Sequence, residues 1–301
     1  MKKVLVIGGN GFIGTNLVQT LLSHGEDVSS FDIQKPTRPI AGVRYIEGDF
    51  FDDECLEESL IDIDVVYHSL STVNPGNSNK RFLQGYSRDF VQSVKLFDMC
   101  LQKQIKVIFL SSGGTVYGLQ KEQPIKETAL PQPINHYGTV KLCIESVLKT
   151  FNTQIHSNML IARISNPYGP GQDFHKGVGF IDAALKKSMK HETIEVWGDG
   201  SVIRDYIYID DVCEMLYSLM YYDGDEEVFN LSSNHGVSIN DIIKEIDNLG
   251  LEPKVTYEAS RAVDVPKVIL DNTRIMKIYQ KQITGLDVGI QKYYQHLKQF
   301  I

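Results

Sequence analysis

Along the first half of the chain, short apolar runs alternate with longer stretches whose apolar residues recur every three or four positions. KVLVIG, DVSSFD, DVVYH and KVIFLSS read as strands. Between the first two, FIGTNLVQTLLSHG carries Phe12, Ile13, Leu17, Val18, Leu21 and Leu22 at helical spacing, with Gly25 as a stop. A further helical stretch covers about 80 to 103. Strands separated by helices of this length are joined by right-handed crossovers, so the pattern predicts an α/β fold with a parallel sheet covered on both faces.

After about residue 165 the pattern changes. NPYGPGQ and GVGF read as loops, a helix is expected near 180 to 190, and TIEVWGDGS reads as a strand and turn. DDVCEMLYSLMYY is a helix with Asp210 and Asp211 as candidate N-caps and Val212, Met215, Leu216 and Leu219 on one face; SINDIIKEIDNLG is another, running from Ser238 to Gly250. The expected division is a first domain of residues 1–165 and 204–231 and a smaller C-terminal α/β domain of residues 166–203 and 232–301.

Composition narrows the function classes. The 301 residues are 42% hydrophobic and 23% charged, enough for a folded protein with one large or two modest cores. A net charge of -8 with no dense Lys/Arg run argues against a nucleic-acid partner. Cys55, Cys100, Cys143 and Cys213 are far apart, form no CxxC pair and have no His at zinc-site spacing, so no metal is expected and the thiols read as reduced packing residues. The apolar run of MKKVLVIGG is broken by Gly8, which fits neither a signal peptide nor a membrane span; a cytoplasmic location is the expectation.

The first candidate chemistry is GGNGFIG, placed between the first strand and the first helix. Gly8, Gly11 and Gly14 there permit a tight turn, close approach of a pyrophosphate to the backbone, and tight helix packing. Asp32 ends the second strand 18 residues after Gly14, where a carboxylate can accept hydrogen bonds from ribose hydroxyls and would repel a 2′-phosphate. The expected fold is therefore a Rossmann-type doubly wound parallel sheet and the expected cofactor NAD, with Lys35 and Arg38 leaving NADP as an alternative.

Two further stretches suggest a reaction site. SSGGTVYG, at 111 to 118, packs hydroxyls and glycines at a strand end, as a site floor or a plain turn would. YGTVK places Tyr137 and Lys141 four residues apart on one helix face, where an ammonium can lower the pKa of a phenol. Tyr294 and Lys298 repeat that spacing on a segment read as a surface helix. His68, after an apolar run, reads as a packed strand-end histidine, and the alternating YIY at 206 to 208 as core.

Together GGNGFIG, Asp32, the GDF at 48 to 50, SSGGTVYG, YGTVK, NPYGPGQ and RDYIYIDDV resemble the extended short-chain dehydrogenase/reductases over essentially the whole chain, and within them the nucleotide-sugar epimerases and dehydratases, with UDP-glucose 4-epimerases the nearest type. The resemblance implies NAD held by Gly8, Gly11, Phe12, Ile13, Gly14 and Asp32, with Asp49 and Phe50 flanking the adenine and Leu70 and Ser71 lining the cofactor cleft. It implies Tyr137 and Lys141 as the catalytic pair, which also touches the cofactor, and Asn166, Arg204 and Arg261 as contacts to the diphosphate of a UDP-hexose. It also implies inversion at carbon 4 through a transient 4-ketosugar, and a homodimer through two helices per subunit.

The sequence departs from that pattern in three places. Asp89 stands where these enzymes often have Asn. Gly113 stands where a catalytic Ser or Thr is usual, leaving Thr115 and Ser112 as replacement hydroxyls, Thr115 preferred. Gly114 and Thr115 occupy the places of the acidic pair that dehydratases need, so dehydration is not expected. The alternatives are a ketosugar reductase using NAD(P)H, or a catalytically weak binding protein.

Overall fold

The computed structural model describes residues 1–173, 179–259 and 265–300. In chain order the first half forms β1 (Lys3–Ile7), α1 (Phe12–Ser23), β2 (Asp27–Asp32), β3 (Arg44–Glu47), α2 (Asp53–Ser59) and β4 (Val65–His68). Next come α3 (Phe82–Gln84), a π-helical turn (Gly85–Phe90), α4 (Val91–Gln102), β5 (Lys106–Ser112), α5 (Gly113–Val116), α6 (His136–Ile155) and β6 (Leu160–Ile164).

The second half adds β7 (Asn166–Tyr168), α7 (Phe180–Met189), β8 (Thr193–Trp197), β9 (Ile203–Tyr208), α8 (Ile209–Met220) and β10 (Val228–Leu231). It ends with β11 (Gly236–Ser238), α9 (Ile239–Asp247), β12 (Lys254–Glu258), β13 (Lys267–Val268), α10 (Thr273–Met276) and α11 (Leu286–Leu297).

Seven strands form one sheet in the order β10-β6-β5-β4-β1-β2-β3, every pair parallel. Alternation explains why β1 reads as an unbroken apolar run. Val4 and Val6 pack with Leu17 and Leu21 of α1 and Met215 and Leu216 of α8. Leu5 and Ile7 face the other way, toward Phe97 of α4 and Ile144 of α6. The winding reverses between β1 and β4, which opens a crevice at the carboxyl ends of the strands.

The smaller sheet holds β11, β9 and β13, with β7 also on β9, and β12 pairs with β8. Its core gathers Tyr168, Leu185, Val196, Tyr208, Ile242, Ile290 and Tyr293. The expected boundary at 204 falls inside β9, whose partners all lie in this smaller sheet, whereas α8 returns to pack on the large one. A late strap also reaches the large sheet: Ile125 N donates to Ile269 O (2.8 Å), Asp271 N to Ile125 O (2.9 Å), and Leu270 is fully buried.

Helix ends follow the sequence at Ser238, whose side chain and that of Asp241 form a capping box. At α8 the expectation fails. Tyr208 precedes the helix with no side-chain cap, and Asp210 and Asp211 sit in the first turn because β9 runs into α8 without a loop. There they complement the helix dipole. Asp211 also accepts from Tyr279 Oη (3.1 Å) and Thr284 N (2.9 Å), fastening the C-terminal segment. Among the described residues no His/Cys/Asp/Glu group is arranged to hold a metal ion, and no helix is long and apolar enough to cross a membrane.

Candidate active site

The glycine turn is shaped from its own backbone. Gly8 has φ +80, and a Cβ on Gly14 would stand 2.2 Å from Gly8 O, so the first turn of α1 rests on the turn itself. A Cβ on Gly11 would meet only Gly8 O at 3.2 Å, and Gly11 caps α1 without a side-chain hydrogen bond, leaving the helix start available to an anion. Asp32 stands beside it: Oδ2 accepts from Asn10 N (3.0 Å) and Oδ1 from Ile33 N (2.8 Å). A turn that excludes side chains next to a tethered carboxylate fits a dinucleotide.

Around this turn the implied cofactor residues divide. Leu70 lies beside the glycine turn, its backbone N 3.0 Å from where a Gly8 Cβ would be. Ser71 Oγ lies 2.8 Å from Val73 O and 2.9 Å from Asp89 Oδ2. Asp49 is exposed and accepts from Phe51 N (3.0 Å). Phe50 is a correction: its ring is 2% exposed and packs against His68 and Phe51 in the core, so its side chain does not flank an adenine. Phe51, half-buried under the Arg88 guanidinium at 3.9 Å, is the aromatic that this turn presents outward.

Asn135 caps α6, its side chain accepting from Gly138 N (2.8 Å), and the helix then carries Tyr137 and Lys141 on successive turns. Lys141 is 3% exposed; Nζ donates to Leu110 O (2.9 Å) and lies 4.6 Å from the centre of the Phe109 ring and 5.8 Å from that of Tyr137. Burial draws the ammonium down to about 8, against the opposing charges of Asp89 and Glu145. Burial, with Asp89 adding to it, pushes the Tyr137 phenol up to about 12. The lowering expected from Lys141 is not found in the protein alone, where desolvation of the phenolate dominates.

One turn on, Glu145 is fully buried and holds Arg163 of β6 in a bidentate pair, Nη2 to Oε2 at 2.6 Å and Nε to Oε1 at 3.1 Å; Ser111 Oγ donates to the same carboxylate. Sequence reasoning missed this pair. Its only signal was the four-residue step from Lys141 and an arginine inside the apolar run LIARI.

SSGGTVYG runs from β5 into α5. A Cβ on Gly113 would stand 2.3 Å from Leu270 Cδ1 and 3.3 Å from Arg163 O, so a side chain here would have to push the buried Leu270 methyl aside. Ser112 and Thr115 instead both line a cleft of about 530 Å³, together with Tyr137, Asn166, Arg204 and Tyr206. Phe12, next to the glycine turn, lines the same cleft. Tyr117, the tyrosine of VYG, is structural: its hydroxyl donates to Asn230 Oδ1 (2.7 Å) and its ring lies 4.7 Å under Arg163.

Thr115→Val is expected to lower turnover roughly tenfold or more with NAD still bound, as loss of a substrate-positioning hydrogen bond does, and Ser112→Ala to do less. Steady-state rates of both variants check it; collapse in Ser112→Ala alone reverses the assignment.

Asn166 is held by its amide donating to Asp205 O (2.9 Å), and Arg204 Nη1 donates to Ile203 O (2.9 Å). Arg261 lies outside the described residues. In YIY only Tyr206 reaches the cleft; Ile207 and Tyr208 are core. Lys298 Nζ lies 5.0 Å from the Tyr294 ring at the end of α11, away from the cleft lining. His68 is core as well: 1% exposed, Nε2 2.8 Å from Ser93 Oγ, and drawn down to about 3 by burial, with Lys141 contributing.

The sequence pattern of the NAD dependent epimerase/dehydratase family matches residues 4–232. The chain belongs to that family. NAD is its cofactor, as the glycine turn and Asp32 fit. A putative UDP-glucose 4-epimerase of Methanocaldococcus jannaschii is 27% identical over 98% of this chain and 98% of its own. A dTDP-4-dehydro-6-deoxyglucose reductase of Escherichia coli is 29% identical over 96% and 95%. Among solved structures, the UDP-glucose 4-epimerase of Thermotoga maritima with UDP-glucose superposes with a TM-score of 0.92 at 28% identity, covering 99% of each chain. The family's two-domain frame is thus present throughout, with a seven-stranded sheet for the cofactor.

Proposed function

We propose that this protein is a nucleotide-sugar epimerase that inverts carbon 4 of a UDP-hexose through a transient 4-ketosugar. The observation that carries the reading is one cleft in which Tyr137, the hydroxyls of Ser112 and Thr115, and Arg204 converge beside Phe12 of the glycine turn. The similar epimerases from M. jannaschii and T. maritima support it. No carboxylate is among the described residues lining the cleft, which disfavours dehydration.

In this reading Tyr137 removes the proton of the sugar hydroxyl, and Thr115 or Ser112 holds the oxygen in place as its charge develops. NAD, held by Gly8, Gly11, Gly14 and Asp32, would supply a reversible hydride acceptor for the carbon that bears this hydroxyl. Lys141, fixed by Leu110 O, keeps a positive charge beside the phenolate. The Arg204 fork and the Asn166 amide hold the diphosphate, so that the sugar can turn over without leaving. A homodimer through helices that include the stretch 82–102 accompanies the reading, and Phe82, Leu83 and Val91 are exposed there.

The E. coli relative favours a second reading, reduction of a ketosugar. One experiment separates them: mass spectrometry of molecules released from the purified protein, then incubation with UDP-glucose. An epimerase releases tightly held NAD and yields UDP-galactose without net NADH; stoichiometric consumption of added NADH or NADPH by a 4-ketosugar nucleotide supports the reductase.

A further inference from the structure

Strand β9 presents one face to the cleft and turns the other inward. Arg204 and Tyr206 line the cleft, while Asp205 between them is fully buried, as alternation along a strand requires. The Asp205 carboxylate accepts from three separate segments. Oδ1 accepts from Ser165 Oγ (3.3 Å), Ser233 N (2.9 Å) and Ser233 Oγ (2.7 Å), and Oδ2 from Asn234 N (3.1 Å) and Leu270 N (3.2 Å). Two of those segments run on into the cleft. Ser165 lines it and precedes Asn166, whose amide donates to Asp205 O (2.9 Å). Leu270 belongs to the strap whose Val265 and Val268 line it, Val268 pairing with Arg204.

These donors are hydroxyls and backbone amides, with no cation among them. Burial pushes the Asp205 carboxyl up to about 6, against the lowering by its bonds from Ser233, Leu270 and Ser165. Near pH 7 it is therefore a carboxylate with both oxygens facing backbone N–H groups; protonation sets an O–H against one of them. The other charged and titratable groups on the elements packed around it are engaged or turned out. Arg204 donates to Ile203 O, Tyr206 is held neutral by burial, and Arg163 of β6 pairs with Glu145. On the strap, the Asp271 carboxylate accepts from Thr273 N and Lys267 is exposed; on the β10–β11 loop, His235 is exposed.

We propose that Asp205 is a positioning residue for the nucleotide sugar: its buried carboxylate fixes the backbone from which Arg204 and Asn166 hold the diphosphate, and ties the strap to the same wall of the cleft. This rests on the reading of Arg204 and Asn166 as the diphosphate contacts. The glycine turn and Asp32 share no hydrogen bond with this hub, so the cofactor grip is separable from it.

Calorimetry with UDP-glucose on NAD-loaded protein tests it. Asp205→Asn, which turns an amide N–H toward these donors, is expected to bind UDP-glucose about tenfold more weakly with its NAD content at the wild-type level. Asp211→Asn is the control for lost stability: Asp211 is a buried carboxylate outside the cleft lining, and its variant should melt earlier yet bind UDP-glucose as wild type does. A pH series adds a readout that a purely structural role would not move. The competent form is the carboxylate, so wild-type affinity is full above pH about 6 and declines as pH falls through it, while Asp205→Asn lacks that decline. The doubly esterified diphosphate of UDP-glucose takes up no proton in this range, and a His235→Gln background removes the exposed imidazole on the same loop. Ser233→Ala deletes a bond that favours the carboxylate and should move the decline to higher pH, so it carries the test if Asp205→Asn does not fold. Unchanged UDP-glucose affinity in Asp205→Asn, a matching loss of NAD, a matching loss in Asp211→Asn, or an unmoved decline in Ser233→Ala overturns the proposal. Wild type that does not bind UDP-glucose sinks the substrate reading and this inference with it, whereas binding indifferent to residue 205 removes only the inference.

Discussion

Tyr137→Phe is expected to lower turnover by roughly 10²- to 10⁴-fold while leaving the amount of bound NAD close to wild type, the span that a lost general base accounts for. The substitution removes one oxygen and keeps the ring, so the start of α6, capped through Asn135, has no reason to shift. Lys141 keeps its bond to Leu110 O. Turnover assays on protein whose NAD content has been measured by mass spectrometry check it. Residual turnover within a few-fold of wild type would remove Tyr137 from the chemistry and return the Ser112 and Thr115 hydroxyls to consideration as the acting groups.

The second large effect belongs to Gly14→Ala, expected to release at least about tenfold more NAD on dilution and to destabilise the fold by about 1–3 kcal/mol. The new methyl would stand 2.2 Å from Gly8 O and 2.8 Å from Gly9 Cα. Both are backbone atoms that no rotamer change can move, so α1 has to lift away from the turn proposed to receive the pyrophosphate. Gly25→Ala is the control: its Cβ meets nothing within 4 Å, although φ is +81, so it should cost stability without loosening the cofactor. Thermal melts and NAD retention after gel filtration distinguish the two. Equal cofactor loss in both variants would mean that the glycine turn is sensitive to stability alone.

What the sequence made legible was whatever depends on local pattern. The large sheet was readable because strands buried on both faces are continuously apolar, as in KVLVIG, and the glycine turn because its glycines and Asp32 fall within one βαβ unit. Features set by distant partners were not. Phe50 follows an aspartate and looks available, yet its ring packs inward against His68 at the end of β4. Gly113 looks like a missing catalytic group until Leu270 is seen filling the space of its side chain. The acids at 210 and 211 match a capping signal, but no loop separates β9 from α8, so the helix starts one step earlier. The buried Glu145–Arg163 pair joins α6 to β6, and such pairing has no periodic signature in sequence.

The late strap has a consequence for how the chain matures on the ribosome. The glycine turn, Asp32, Tyr137 and Lys141 all lie in the first half of the polypeptide, so the elements proposed to hold the dinucleotide can assemble from what has already emerged. The packing beside Ser112 and Thr115 cannot, because Leu270, which occupies the space beside Gly113, and the Ile125–Ile269 and Asp271–Ile125 hydrogen bonds are supplied by a segment that emerges only after all of these. With domains folding from the N-terminus as synthesis proceeds, the glycine turn and its helix can take shape well before Leu270 packs beside the strand end that carries Ser112.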